Sequence, residues 1–127
     1  MTIVGFSHVN LRLRPGELDA VRDFYVEVLG LTVGYRPPFQ SAGYWLYAGG
    51  SPLVHLVEAE AGSGRPADAD NAIDHLAFVC SRPGQTKARL EQAGIPFEAA
   101  RIPETGELQF FVRDPAGIRV ELLFKEP

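Results

Sequence analysis

Phe6-Ser7-His8-Val9-Asn10-Leu11 and Ile73-Asp74-His75-Leu76-Ala77-Phe78 are two copies of one pattern, a short Val/Leu/Phe-rich strand with a histidine near its start. A helical segment follows each copy. From Glu17 to Leu29, Leu18, Val21, Tyr25 and Val28 recur at helical spacing, with Phe24 and Leu29 widening the stripe. Pro15-Gly16 opens that segment and Gly30 closes it. The second helix is expected from about Pro83 to Ala93, with Pro83 in its first turn, Leu90 and Ala93 facing inward and Gly94 as its stop. Both leave through a glycine and an aliphatic residue, Gly30-Leu31 and Gly94-Ile95.

Three strands are then expected in each half. The first half has Leu31 to Tyr35, Gly43 to Ala48 and Leu53 to Glu58; the second has Phe97 to Ala100, Leu108 to Arg113 and Arg119 to Phe124. Pro37-Pro38, Gly49-Gly50-Ser51-Pro52, Pro103-Glu104-Thr105-Gly106 and Asp114-Pro115-Ala116-Gly117 separate them as turns. Ala59 to Ala72, rich in Ala, Gly, Asp and Pro without periodicity, reads as a linker. The chain is therefore α+β: one domain of two tandem βαβββ modules, about 1–58 and 73–127, joined by residues 59–72. Four strands and one helix are too little to close a core, so the halves are expected to pair within the chain or across a dimer.

At 127 residues, 46% apolar and 22% charged, this is the composition of an ordinary soluble domain. The net charge of −4 and the lack of any Lys/Arg cluster argue against nucleic acid. The single cysteine, Cys80, excludes an internal disulfide and fits a reducing compartment; at the end of an apolar run it reads as a buried, inert thiol. Neither a basic leader before an apolar stretch nor a run of about 20 apolar residues occurs, so a cytoplasmic protein with no membrane partner is expected.

Alternation along the strands assigns faces. Val120, Leu122 and Phe124 share the face that packs on the helix, and Glu121 points the other way. Val54 and Leu56 oppose His55, Val9 and Leu11 oppose His8, and Leu76 and Phe78 oppose His75. The repeat maps His8 onto His75, and Val54-His55-Leu56 onto Val120-Glu121-Leu122. A lone strand histidine is more often a hydrogen-bonded core or surface residue than a ligand. Here all three histidines fall at strand positions related by the repeat, which raises the case for a shared metal site.

The same residues carry a family resemblance. Phe6-Ser7-His8-Val9, Phe24-Tyr25-Val26-Glu27-Val28-Leu29-Gly30-Leu31, Ile73-Asp74-His75-Leu76-Ala77-Phe78 and Asp114-Pro115-Ala116-Gly117-Ile118-Arg119-Val120-Glu121-Leu122 resemble, in order, four motifs of the vicinal oxygen chelate superfamily. That superfamily groups glyoxalases, bleomycin resistance proteins and extradiol dioxygenases. The resemblance implies an open, incomplete mixed β-barrel around a cavity, commonly in a homodimer, with one divalent metal held from the first, fourth, fifth and eighth strands. Carried over, His8, His75 and Glu121 match a two-histidine, one-carboxylate set. His55 stands where glyoxalase I-like members have a glutamate that is both ligand and general base.

Such ligands suit Fe, Zn, Ni, Co or Mn. Four protein ligands on a tetrahedral Zn would leave no place for substrate, so His55 is either one of five or six ligands or a base beside the metal. Chelation of a small substrate through adjacent oxygens would stabilise an enolate or catecholate. Arg36, Phe39, Trp45, Tyr47 and Phe110 are expected to wall the pocket, with Pro37-Pro38 stiffening the loop that carries Phe39 and Arg36 offered to an anion. Three functions follow: a metal-dependent lyase or isomerase of the glyoxalase/epimerase kind, an extradiol-type Fe(II) dioxygenase, and a metal-free binding or resistance protein.

Overall fold

A computed structural model describes residues 1, 5–60, 73 and 75–125. The expected linker lies outside the described residues from 61 onward, as does Asp74. The first module contains β1 (Val9–Leu13), α1 (Leu18–Asp23), β2 (Thr32–Gly34), β3 (Gly43–Ala48) and β4 (Ser51–Glu58). The second contains β5 (Leu76–Cys80), α2 (Pro83–Gln92), β6 (Glu98–Arg101), β7 (Leu108–Arg113) and β8 (Arg119–Phe124). The chain divides into two compact units, Met1–Ala69 and Asp70–Pro127.

Both modules have the same wiring. Their sheets run β1-β4-β3-β2 and β5-β8-β7-β6, and neither closes into a barrel. The first and last strands of each module pair in parallel, and the other pairs are antiparallel. The registers Val9↔Val54 and Leu76↔Val120 are equivalent, so the repeat read from sequence is also a repeat of hydrogen bonding. One face of each sheet is apolar. Leu11, Leu13, Leu46, Val54 and Leu56 are buried in the first module together with Val21 and Tyr25, and Val112, Val120, Leu122 and Phe124 in the second together with Leu90. Each such side chain contributes about 1.5–3 kcal/mol by leaving water.

The helices end as their glycines require. In α2, Ile95 N–H donates to Leu90 O at 2.9 Å and Gly94 N–H to Glu91 O at 3.1 Å, with Gly94 at φ 69°, which is a Schellman closure. The first helix departs from expectation. Its α-helical part stops at Asp23, and Phe24–Val28 continues as a π-helix, marked by Leu29 N–H donating to Phe24 O at 3.1 Å. The glycine exit survives one residue wider: Leu31 N–H reaches Tyr25 O at 2.9 Å, with Gly30 at φ 83°.

Two boundaries differ from the sequence reading in ways that matter for the site. Strand β1 begins at Val9, so His8 precedes the strand, just as His75 precedes β5, which begins at Leu76. The turn expected over residues 49–52 is only Gly49-Gly50, at φ 57° and 82°, the two left-handed residues of a tight hairpin. Ser51 and Pro52 therefore join β4, opposite Ala48 and Tyr47.

Arg82, just before α2, has φ 58° and ψ 66°, a left-handed conformation that costs a non-glycine residue about 1–2 kcal/mol. Its carbonyl accepts from Thr86 N–H at 3.1 Å and Thr86 Oγ at 3.2 Å, contacts that a glycine keeps. Arg82→Gly is expected to stabilise the chain by about 1 kcal/mol in urea denaturation, after the greater freedom of unfolded glycine is offset. A lower midpoint would show that the arginine side chain, not backbone strain, dominates there.

Candidate functional site

In the first module, the face of the sheet away from the buried core carries a stack of rings. Register places Trp45 and Asn10 on either side of His55, and His8 lies beyond Asn10 on the same face. His55 is sandwiched: its ring centroid is 3.9 Å from that of His8, at 12° between planes, and 4.0 Å from that of Trp45, at 10°. Phe39 extends the wall at 6.3 Å from Trp45, and the Arg36 guanidinium lies 5.0 Å over Phe39. His8, His55, Trp45, Phe39 and Arg36 line a cavity of about 360 Å³. Asn10 and Ser41 line it too, and neither was singled out by the sequence.

Arg36 is held in place. Its Nη1 donates to Ser41 O at 2.9 Å and its Nη2 to Ser41 Oγ at 3.2 Å. The guanidinium passes where a side chain at residue 43 would be, since a Cβ on Gly43 would meet Arg36 Nη2 at 2.8 Å and collide with the Leu56 carbonyl oxygen. Glycine at 43 is thus a condition of this cavity wall.

The hydrogen bonds set the state of the imidazoles. His55 Nε2 is 3.0 Å from Pro52 O, and a carbonyl only accepts, so the ring proton sits on Nε2 and Nδ1 carries the lone pair. His8 Nδ1 is hydrogen-bonded with Ser7 Oγ at 2.9 Å, which leaves Nε2 as its second nitrogen. Burial, then the neighbouring charges of His8 and Arg36, hold the His55 pKa below the usual histidine value against the opposing pull of Pro52 O. His55 is therefore a neutral imidazole near pH 7.

That shift has a sign in stability. The folded chain protonates His55 less readily than the unfolded chain, where the pKa is about 6.5. As pH falls through about 6.5 the unfolded state gains the proton first, so stability drops. Metal-free protein is expected to lose stability between about pH 7.5 and 5.5 more steeply than a His55→Phe variant, which keeps the stack without the titrating group. Equal slopes in urea denaturation would remove His55 as the cause.

The second module repeats the geometry with different chemistry. Glu121 takes the place of His55, since Ala77 and Phe111 flank it in register as Asn10 and Trp45 flank His55. Glu121 is 7% exposed. Its Oε1 lies 3.1 Å from His75 Nε2, and its Oε2 accepts from Gln109 Nε2 at 3.2 Å. Phe111 meets His75 edge-on at 6.3 Å.

Two expected wall residues are elsewhere. Phe110 is opposite Leu122 and 4% exposed, packed on Phe97 and Phe124 at 5.0 and 5.1 Å, so it belongs to the core face. Its neighbour Phe111 is the ring on the Glu121 face. Carrying the repeat into the third strand of each module would have found it, because Trp45 and Phe111 are equivalent. Tyr47 follows a β-bulge, its ring lies over Gly34, and its hydroxyl donates to Tyr35 O at 2.7 Å, so it is tied to β2 rather than to the His8–His55 cavity. The Cys80 thiol is pushed up by burial, which keeps it protonated and unreactive.

The donors pass a chemical test as ligands. Two donors on one ion, each at about 2.0–2.2 Å, stand about 3 Å apart, which is the separation of His75 and Glu121. His8 and His55 do not make such a pair. Their lone pairs lie in parallel planes, so an ion in the plane of one ring is out of the plane of the other. Among the described residues no group of three or more His, Cys, Asp or Glu side chains comes together around one point.

The model of the Glyoxalase/Bleomycin resistance protein/Dioxygenase superfamily matches residues 5–122. Solved structures resemble the chain over nearly its whole length. A glyoxalase family protein from Bacillus anthracis is 25% identical with a TM-score of 0.79, covering 98% of this chain and 97% of that one. A glyoxalase family protein from Enterococcus faecalis is 26% identical, TM-score 0.70, covering 97% and 99%. The lactoylglutathione lyase from Agrobacterium tumefaciens is 27% identical, TM-score 0.65, covering 96% of each chain. No curated protein matches the sequence.

Proposed function

Because the chain belongs to the glyoxalase/bleomycin resistance protein/dioxygenase superfamily, we propose that it is a metal-dependent lyase or isomerase acting on a small substrate with adjacent oxygens. The observation that carries this reading is the His75–Glu121 pair, a buried carboxylate oriented by Gln109 with its histidine at ligand separation. His75 and Glu121 would supply two of the donors for one divalent ion. The chemistry such an ion supplies when bound is stabilisation of negative charge on the adjacent substrate oxygens. Likeness to a lactoylglutathione lyase supports proton transfer over ring cleavage.

His55 works as the base in this reading, not as a ligand. It is neutral, its Nδ1 lone pair is available, and the bond from Nε2–H to Pro52 O keeps the ring from turning. Trp45 and Phe39 exclude water and seat an apolar part of the substrate. We also propose that the chain works as a homodimer in the cytoplasm. Among the described residues no helix is long and apolar enough to cross a membrane.

One observation favours a second reading. His8 and His55 are stacked flat in an aromatic wall with one nitrogen each already bonded, which also suits a metal-free pocket that sequesters a flat ligand. Metal content separates the two. Metal-free protein offered Fe(II), Zn, Ni, Co or Mn in turn is expected to retain about one ion per chain. Retention of Fe alone would move the assignment to dioxygenase chemistry. Failure to retain any ion would put the sequestering pocket in front.

A further inference from the structure

Arg36 faces the His8–His55 cavity without an acidic partner. No aspartate or glutamate is among the residues that line the cavity with it. Among the described residues its guanidinium hydrogen-bonds only to the carbonyl and hydroxyl oxygens of Ser41, both neutral, and its Nε is enclosed without an acceptor. Arg22 in the same module shows the contrast, since Asp19 and Asp23 both pair with it at 3.3 and 2.9 Å. A chain of net charge −4 has carboxylates to spare, and none is placed at Arg36.

The loop between β2 and β3 holds that charge at the cavity. Phe39 N–H donates to Pro37 O at 2.7 Å, a tight turn that brings the Phe39 ring 5.0 Å from the guanidinium carbon. The charge is felt at the opposite wall: burial, then His8, then Arg36 hold the His55 pKa down. The remaining walls are neutral, with the Trp45 and Phe39 rings, the uncharged His55 and the Asn10 amide. The volume of about 360 Å³ is in the range of small-molecule sites. One fixed positive charge in a neutral, largely aromatic cavity matches a monoanion with a compact apolar body. A carboxylate makes charge-assisted bonds to a guanidinium, roughly twice as strong as those of a neutral acceptor, so it competes well against the Ser41 hydroxyl.

We propose that this cavity takes a small carboxylic acid, its carboxylate on Arg36 in place of the Ser41 hydroxyl and its apolar body against Trp45 and Phe39. The assignment rests on the reading above only in making the bound acid the substrate; binding itself needs no ion.

The test is a titration of the full chain, in chelator and at constant ionic strength, with benzoate as the probe and benzyl alcohol as its neutral counterpart. Fluorescence of Trp45, the single tryptophan of the chain, reports on the cavity directly. Benzoate is expected to give a saturable change, with benzyl alcohol at least about tenfold weaker. Arg36→Gln should weaken benzoate about tenfold or more and leave benzyl alcohol within about twofold. Arg36→Lys, which keeps the charge without the planar fork, should fall between the two. Ser41→Ala removes the competing hydroxyl and should tighten benzoate a few-fold. Benzoate binding no better than benzyl alcohol would overturn the subsite, as would unchanged benzoate affinity in Arg36→Gln. So would an Arg36→Gln loss shared equally by benzyl alcohol, which would assign Arg36 to the shape of the wall. Because no metal is present, such a failure would leave the ion-binding test on His75 untouched.

Discussion

His75→Ala protein, stripped of metal and reloaded, is expected to hold no stoichiometric divalent ion, with affinity at least about 100-fold below that of the unchanged chain. The figure is a floor, since groups one step further from an ion already change affinity by about 10–100-fold. His75 is the less enclosed partner of its pair, with a third of its side chain exposed against 9% for Glu121, so its truncation strips a donor without opening the core. Glu121→Gln should lose the ion as well, because the amide carries no charge to balance it, yet it keeps the size of the buried side chain. His55→Phe should retain the ion within about tenfold, since the stacked rings of His8 and His55 cannot both direct a lone pair to one point. Equilibrium dialysis with metal analysis measures all three. Tight, stoichiometric binding by His75→Ala would place the ion elsewhere and remove the basis of the proposed chemistry. Loss in His55→Phe equal to that in His75→Ala would return His55 to the ligand set.

Asp114→Ala is expected to cost about 3 kcal/mol. The Asp114 side chain is 4% exposed, and its Oδ1 accepts Ala116 N–H at 2.9 Å and Ile118 N–H at 2.8 Å. Hydrogen bonds to a charged group are worth roughly 1.5–3 kcal/mol each, and alanine leaves both backbone donors without that acceptor inside a turn. The turn sets the register of β8: Asp114 N–H donates to Ile118 O at 2.9 Å, Gly117 N–H to Asp114 O at 2.9 Å, and Arg113 then faces Arg119. Glu121 lies two residues further along the same strand, so the loss should also reduce metal affinity. Asp114→Asn keeps an acceptor oxygen and should cost about half as much. Urea denaturation gives both values. A cost below about 1 kcal/mol for the alanine variant would mean that solvent replaces the carboxylate in the turn.

The Asp114-Pro115-Ala116-Gly117 run shows how far a sequence motif reaches. Its residues announce a turn, and Gly117 does adopt φ 88°. That the aspartate is the buried organiser of the turn, rather than a surface residue, follows only from where β7 and β8 bring it. The choice between Phe110 and Phe111 is a different case. Alternation of Gln109, Phe111 and Arg113 against Leu108, Phe110 and Val112 already carries the answer, because the polar members mark the face away from the core.

What the amino-acid sequence determined by itself is the part written in local periods: two modules, the order of their elements, the glycine exits of both helices, and the strand faces on which His55 and Glu121 lie. Period-2 and period-3.6 patterns need no partner to be read. Tertiary structure alone decided the rest. The π-helical end of the first helix, the two-residue Gly49-Gly50 turn that brings Pro52 O to His55, the flat stacking of His55 between His8 and Trp45, and the opposition of Arg113 and Arg119 all depend on register between strands and on side-chain rotamers. Those are fixed by hydrogen bonds and packing between residues far apart in the chain, and a pattern along one strand holds no record of what its neighbour presents.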